Sequence, residues 1–161
     1  MKSLSTFRVV LLLILLPSFC WSTPLDELVE RDGLFYTKFS DVPFTGEVTG
    51  KSQGNLKNGK KDGDWVSYHD NGQLDEKGNY KNGKKDGDWV SYFDNGQLAA
   101  KGNYKNGKAD GYRVNYWANG NLLAKGVYKN GEMDGDWVGY WDDGESMELT
   151  GTYKDGVKIS D

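Results

Sequence analysis

This sequence predicts an all-β fold: an elongated single-layer antiparallel meander of tandem β-hairpin repeats. Three observations predict it. A unit of 24 residues recurs along the chain, with Lys-Asn-Gly at Lys57, Lys81, Lys105 and Lys129, and Lys154-Asp155-Gly156 following at an offset of 25. Each unit carries a second turn signal, an Asn-Gly or Asp-Gly pair at Asn71, Asn95, Asn119 and Asp143. The segments between these turns are short and aromatic, and the 161 residues include 22 glycines but only 3 prolines. Self-similarity at a fixed period marks an architecture whose size is set by repeat number.

Taken in order, the first element is an export signal. Lys2 and Arg8 form a positive start, residues 9–16 an uninterrupted apolar run too short to span a membrane, and Pro17 breaks it. Cys20 and Ser22 satisfy the small-residue rule, so residues 1–22 are expected to be a signal peptide cleaved near Ser22, with the protein periplasmic or secreted. The one membrane route considered is lipidation of Cys20, which Phe19 disfavours because lipoprotein signals want a small residue there. Cleavage would take Lys2 and Arg8 from the 20 basic residues, leave all 24 acidic ones, move the net charge from -4 to -6, and remove the only cysteine. A thiol-free chain tolerates an oxidising compartment without disulfides.

Residues 23–56 are expected to be capping hairpins with a degenerate repeat. Residues 28–36 read as a hairpin on Asp32-Gly33, and residues 42–48 as a strand with Val48 in an aromatic place. The array proper is expected over 57–161, ending in a short charged edge strand at residues 157–161, since open sheet edges need protection.

Within the array, two-residue loops at both turns fix the pairing. Around Asn71-Gly72 this places Trp65 opposite Gly78, Ser67 opposite Glu76, Gly63 opposite Tyr80 and His69 opposite Leu74; around Asn82-Gly83 it places Gly78 opposite Gly87 and Leu74 opposite Ser91. One face would then carry Trp65, Tyr80, Trp89, Leu98, Ala100, Tyr104, Leu122, Ala124 and Tyr128, and the other Asp64, Val66, Tyr68, Lys77 and Asn79. Gly63 and Gly87, with Gly78 and Gly102, are expected to be flat places for rings. Two strands per repeat advance the sheet by about 10 Å, so four repeats reach about 40 Å. The fourth copy has one residue more, and a bulge is expected near residues 145–148.

The run Tyr-Lys-Asn-Gly-Lys-x-Asp-Gly-x-Trp-x-x-Tyr-x-x-Asn-Gly-x-Leu, cleanest over residues 80–98, resembles the MORN repeat in its bacterial variant, some of whose members are labelled antitoxins. The resemblance covers about residues 57–156, and residues 34–50 look like a segment that often precedes such repeats. It implies elongated sheets of hairpins used for binding or scaffolding, with no reaction. The third copy departs from it, with Arg113 in the Trp place.

The chemistry is sparse. Asp62-Gly63-Asp64 lacks the ligand pattern of a calcium loop and stands beside Lys60-Lys61, so no metal and no cofactor are expected. His69 stands where other copies have Phe93, Trp117 and Trp141, a substituted ring rather than a general base, and no nucleophile motif accompanies it. The acidic balance argues against nucleic acid, which needs a basic stripe. The Lys57, Lys81, Lys105 and Lys129 series reads as solvated turns. The sequence therefore points to a non-enzymatic protein that binds a protein partner through its aromatic face or a sheet edge, with Trp65, Trp89, Phe93, Trp117, Trp137 and Trp141 as candidate contacts. The alternatives are a cell-envelope polysaccharide, because tandem aromatic-glycine hairpins also resemble cell-wall-binding repeats, and an antitoxin or immunity-type inhibitor.

Overall fold

The computed structural model describes residues 22–161. The apolar run, its flanking charges and Cys20 lie outside the described residues. The strands are β1 (Thr23–Pro24), β2 (Leu28–Arg31), β3 (Leu34–Thr37), β4 (Gly46–Thr49), β5 (Ser52–Lys57), β6 (Lys60–Tyr68), β7 (Leu74–Lys81) and β8 (Lys84–Tyr92). They continue as β9 (Leu98–Lys105), β10 (Lys108–Tyr116), β11 (Leu122–Lys129), β12 (Glu132–Met133), β13 (Gly135–Gly139), β14 (Gly151–Lys154) and β15 (Val157–Ser160). From β4 onward each strand pairs antiparallel with the one before it, β12 and β13 sharing β11, in one open sheet that does not close into a barrel. β1 adds to β4 in parallel, and β2 and β3 make a separate hairpin.

That hairpin folds over the end of the sheet: the Phe35 N–H donates to Gly59 O at 2.9 Å, and the Gly59 N–H to Phe44 O at 2.8 Å. Beneath it lies the apolar core, where Leu28, Val48, Leu56 and Trp65 meet, flanked by Leu25, Phe35, Phe44 and Tyr80. Val48 is fully buried opposite Gly54, the relation that Trp65 bears to Gly78 one repeat later.

The two turns of each repeat are built differently. At Asn82-Gly83 both residues have positive φ, 52° and 80°, which makes the type I′ turn that continues a right-twisted ribbon. At Asn71-Gly72 only the glycine does, at 82°. There the Gly72 N–H donates to His69 O and the His69 N–H to Gln73 O, giving a three-residue loop, a type I turn followed by a glycine bulge. The expected two-residue loop is therefore corrected: Tyr68, not His69, pairs with Leu74, and the strand slips by one at Ser67. Because directly opposed residues share a face, Leu98 and Leu122 lie with Tyr92 and Tyr116, away from the tryptophans.

A second slip corrects the other hairpin. Lys81↔Lys84 and Tyr80↔Lys85 keep the turn register, after which Gly78 faces Trp89 rather than Gly87, and Glu76, not Leu74, faces Ser91. The intervening residues bulge at Gly87, whose φ is 86° and whose missing Cβ would meet nothing, so Gly63 and Gly87 serve the bulge and not a ring. The slip of two keeps the face parity while moving each tryptophan opposite a glycine on both sides. In the fourth copy the extra residue does more than bulge: the chain turns back with Thr150 N–H donating to Met147 O, and Leu149 packs on Gly139.

Candidate functional site

The corrected register writes a row across the strands on one face: Trp65, Gly78, Trp89, Gly102, Arg113, Gly126. Each indole lies over the glycine of the strand before it. A Cβ built on Gly54 would come within 2.6 Å of the Trp65 ring, and one on Gly126 within 2.5 Å of Trp137 Cγ. Each indole N–H then donates to the carbonyl one residue past that glycine: Trp65 to Asn55 O and Trp89 to Asn79 O at 3.1 Å, Trp137 to Val127 O at 3.0 Å. Glycine is what lets the ring lie low enough to reach.

Tyrosines fill the spaces between the indoles edge-on. Tyr80 stands 6.0 Å from Trp65 and 5.0 Å from Trp89 between ring centres, Tyr104 6.4 Å from Trp89, and Tyr128 4.9 Å from Trp137. Lysine stems close the top. Lys61 Nζ sits 4.4 Å over the Trp65 ring, and Lys85 Nζ 3.8 Å over Trp89 while bridging to Glu76 at 2.6 Å. Burial holds the Lys61 ammonium below its ordinary pKa, against a smaller opposing pull from Glu76, and burial raises the Tyr80 phenol.

The single-layer sheet thus covers Trp65, Trp89 and Trp137 with its own side chains. Of the six candidate contacts, Trp65, Trp89 and Trp137 are 4 %, 5 % and 3 % exposed and belong to the packing. Phe93 and Trp117 are half-buried at the loop tips, and Trp141 is 52 % exposed. The tip rings form their own ladder: His69 Nε2 lies 2.9 Å from Tyr92 O, and the Trp117 N–H donates to Tyr140 O at 2.9 Å. In the third copy Arg113 replaces the indole, donating to Tyr104 Oη at 2.8 Å and to Asn115 Oδ1 at 3.0 Å. Asp62 and Asp64 are both engaged in the sheet, Asp62 accepting the Asn82 N–H at 3.2 Å and Asp64 the Asn79 amide at 3.1 Å.

The opposite face, to which the sequence assigns Asp64, Val66, Tyr68, Lys77 and Asn79, is open. Val66, Lys77, Val90, Lys101, Val114, Lys125 and Val138 are consecutive cross-strand neighbours, an alternation of half-buried valines and exposed lysines. Beside it runs a row of hydrogen-bonded polar pairs, Asp64–Asn79 and Asp88–Asn103, both at 3.1 Å. Val66, Lys77, Val90 and Lys101 with Asp64, Asn79 and Asp88 line a groove of about 790 Å³ along the first two repeats.

In comparison with known proteins, the MORN repeat variant matches residues 61–82, 85–106 and 109–130. Each matched copy takes in one long strand, the tip loop and the return strand. No curated protein matches the chain.

Proposed function

We propose that this MORN repeat protein, whose tandem copies span residues 61–130, is a non-enzymatic binding module that takes a protein partner on its open face. The observation that carries the reading is the asymmetry of the sheet. One face spends its aromatic rings on internal packing, and the other presents a groove of alternating valine and lysine rows rimmed by Asp64 and Asp88. Such a surface offers apolar contact interleaved with lysines and bordered by carboxylates, so a partner can be held by burial and by charge together. The segment before Thr23 supports export, so the partner is sought in the periplasm or medium.

The test is cross-linking of the purified protein to its cellular surroundings, with recovery compared between wild type and a Val66→Glu, Val90→Glu variant. Loss of one defined protein partner in the variant supports the reading. Recovery unchanged by the two glutamates refutes it. A second reading, polysaccharide binding, is favoured by one observation: Phe93, Trp117 and Trp141 stand at successive loop tips about 10 Å apart, accessible to a sugar face. Binding to purified peptidoglycan that is lost in Trp117→Ala, Trp141→Ala would transfer the function to the tips.

A further inference from the structure

Near-identical repeats are internal controls for one another, and on the open face one repeat departs from its neighbours in both members of a cross-strand pair. In three repeats the outer row holds a hydrogen-bonded polar pair: Asp64–Asn79 and Asp88–Asn103 at 3.1 Å, and Asp136–Thr152 at 2.8 Å. In the third it holds Tyr112 directly opposite Val127. Both are exposed, Tyr112 at 55 % and Val127 at 40 %. Two residues along the same strand and face stands Val114, with Lys101 opposite on one side and Lys125 on the other. Neither lysine takes part in an ion pair among the described residues.

The exchange of a polar pair for Tyr112 and Val127 makes a modest aromatic–β-branched cross-strand contact but leaves both side chains largely in water; a ligand that covers them gains their burial. Resting on the binding-module reading, and adding to it the site and the partner's chemistry, we infer that Tyr112, Val114 and Val127 with Lys101 and Lys125 form the docking point for an acidic segment of a protein partner. An apolar side chain of that segment seats against Tyr112 and Val127. Carboxylates on either side of it meet the ammonium groups of Lys101 and Lys125, whose backbone positions lie two strand spacings apart, about 10 Å. Charge complementarity selects the occupant: with the lysines unpaired and the apolar patch between them, a neutral or basic segment would leave both cations uncompensated.

The experiment selects peptides from a random display library on the purified protein and measures their affinity for wild type, for Tyr112→Asp, Val127→Asn, and for Lys101→Glu, Lys125→Glu. The first variant installs the residues of the neighbouring repeats, so an unchanged thermal midpoint is expected to certify its fold. The expected result is an enriched peptide class with acidic residues flanking an apolar one, bound at least tenfold more weakly by each variant. Enriched peptides that bind all three proteins equally, or that are neutral or basic, overturn this site while leaving the binding-module reading standing. No enrichment overturns it too, and partner cross-linking then decides the broader reading separately. Sedimentation with phosphatidylcholine–phosphatidylglycerol vesicles is the remaining arm: vesicle binding abolished by Lys101→Glu, Lys125→Glu, without peptide binding, assigns the lysines to lipid and overturns the proposal.

Discussion

Gly78→Ala and Gly102→Ala are the same substitution at the same place in successive repeats, and they should differ by about 2 kcal/mol. Neither glycine has a positive φ, so backbone strain is absent from both. At Gly78 the new methyl would fall 2.7 Å from Trp89 Cγ and closer still to Cδ2 and Cε2. Ordinary carbon contact is about 3.5 to 4.0 Å, so the indole must lift by about 1 Å. That displacement stretches its 3.1 Å bond to Asn79 O beyond hydrogen-bonding range. Overpacking costs about 1–3 kcal/mol and the lost bond about 1, while the stiffer unfolded chain returns about 0.4–1. The net is a loss of about 1–3.5 kcal/mol, centred near 2. At Gly102 the neighbour is the flexible stem of Arg113, with Cγ at 3.2 Å, which gives way by a few tenths of an ångström, so the change should stay within about 0.5 kcal/mol of neutral. Thermal unfolding reads the difference as a midpoint about 4–8 °C lower for Gly78→Ala at this chain length. Equal midpoints for the two variants would refute the claim that the glycine exists to let the indole lie down.

Trp89→Ala should lose about 3–5 kcal/mol, seen as a lower urea midpoint, because it empties the space between Tyr80 and Tyr104. Asn82→Ala should cost about 1–2 kcal/mol, since alanine must enter the left-handed region there. Asn71→Ala loses only side-chain bonds, to the Gln73 N–H and Asp94 O, and should cost less; the reverse order in thermal melts would overturn the assignment of the two turns. Lys61→Met tests the lid by pH. Because burial lowers the Lys61 pKa, the unfolded chain binds more protons than the folded one between that pKa and 10.5, and wild-type stability from this group rises with pH across the window. The stability of Lys61→Met relative to wild type should therefore fall as pH approaches 10.5 in denaturant titrations; a constant difference argues that the ammonium is not desolvated.

What was legible in the sequence was whatever local chemistry dictates. The period, the hairpins, and the pairing of Trp65 with Gly78 follow from turn dipeptides and alternation, and all are present. The Asn71-Gly72 loop was misread because the dipeptide is compatible with either a two-residue loop or a type I turn with a bulge. The choice is made by the Gly72 N–H and its acceptor at His69, which composition does not encode. The slip at Gly87 was invisible for a related reason: it is driven by the indole of Trp89 finding the carbonyl past Gly78, a contact between repeats. That slip is also why the aromatic face was taken for a contact surface. Without it, each ring has one glycine beside it and an uncovered side; with it, Tyr80 and Lys85 close over Trp89. The open-face site could have been found by aligning the four copies column by column, where Tyr112 and Val127 replace an Asp and an Asn in a single repeat.

The third repeat departs on its sealed face as well, and the two departures are linked by energetics. Where the first two repeats stack Lys61 on Trp65 and Lys85 on Trp89, the third has Ala109 and Arg113: the cation has moved from the lid into the ring position. Arg113 keeps the column continuous through Tyr104 Oη, but a guanidinium buries less apolar surface than an indole and leaves no lid above it. This repeat is therefore expected to be locally less stable than the first two, the exposed Tyr112–Val127 pair offsetting only part of the loss. Arg113→Trp should raise the thermal midpoint by several degrees. If it does so while weakening capture on the far face, the softness of the repeat serves binding, in the way that strained or underpacked sites trade stability for function. If capture is untouched, the sealed face acts only as scaffold, and the open-face residues are sufficient to explain the site.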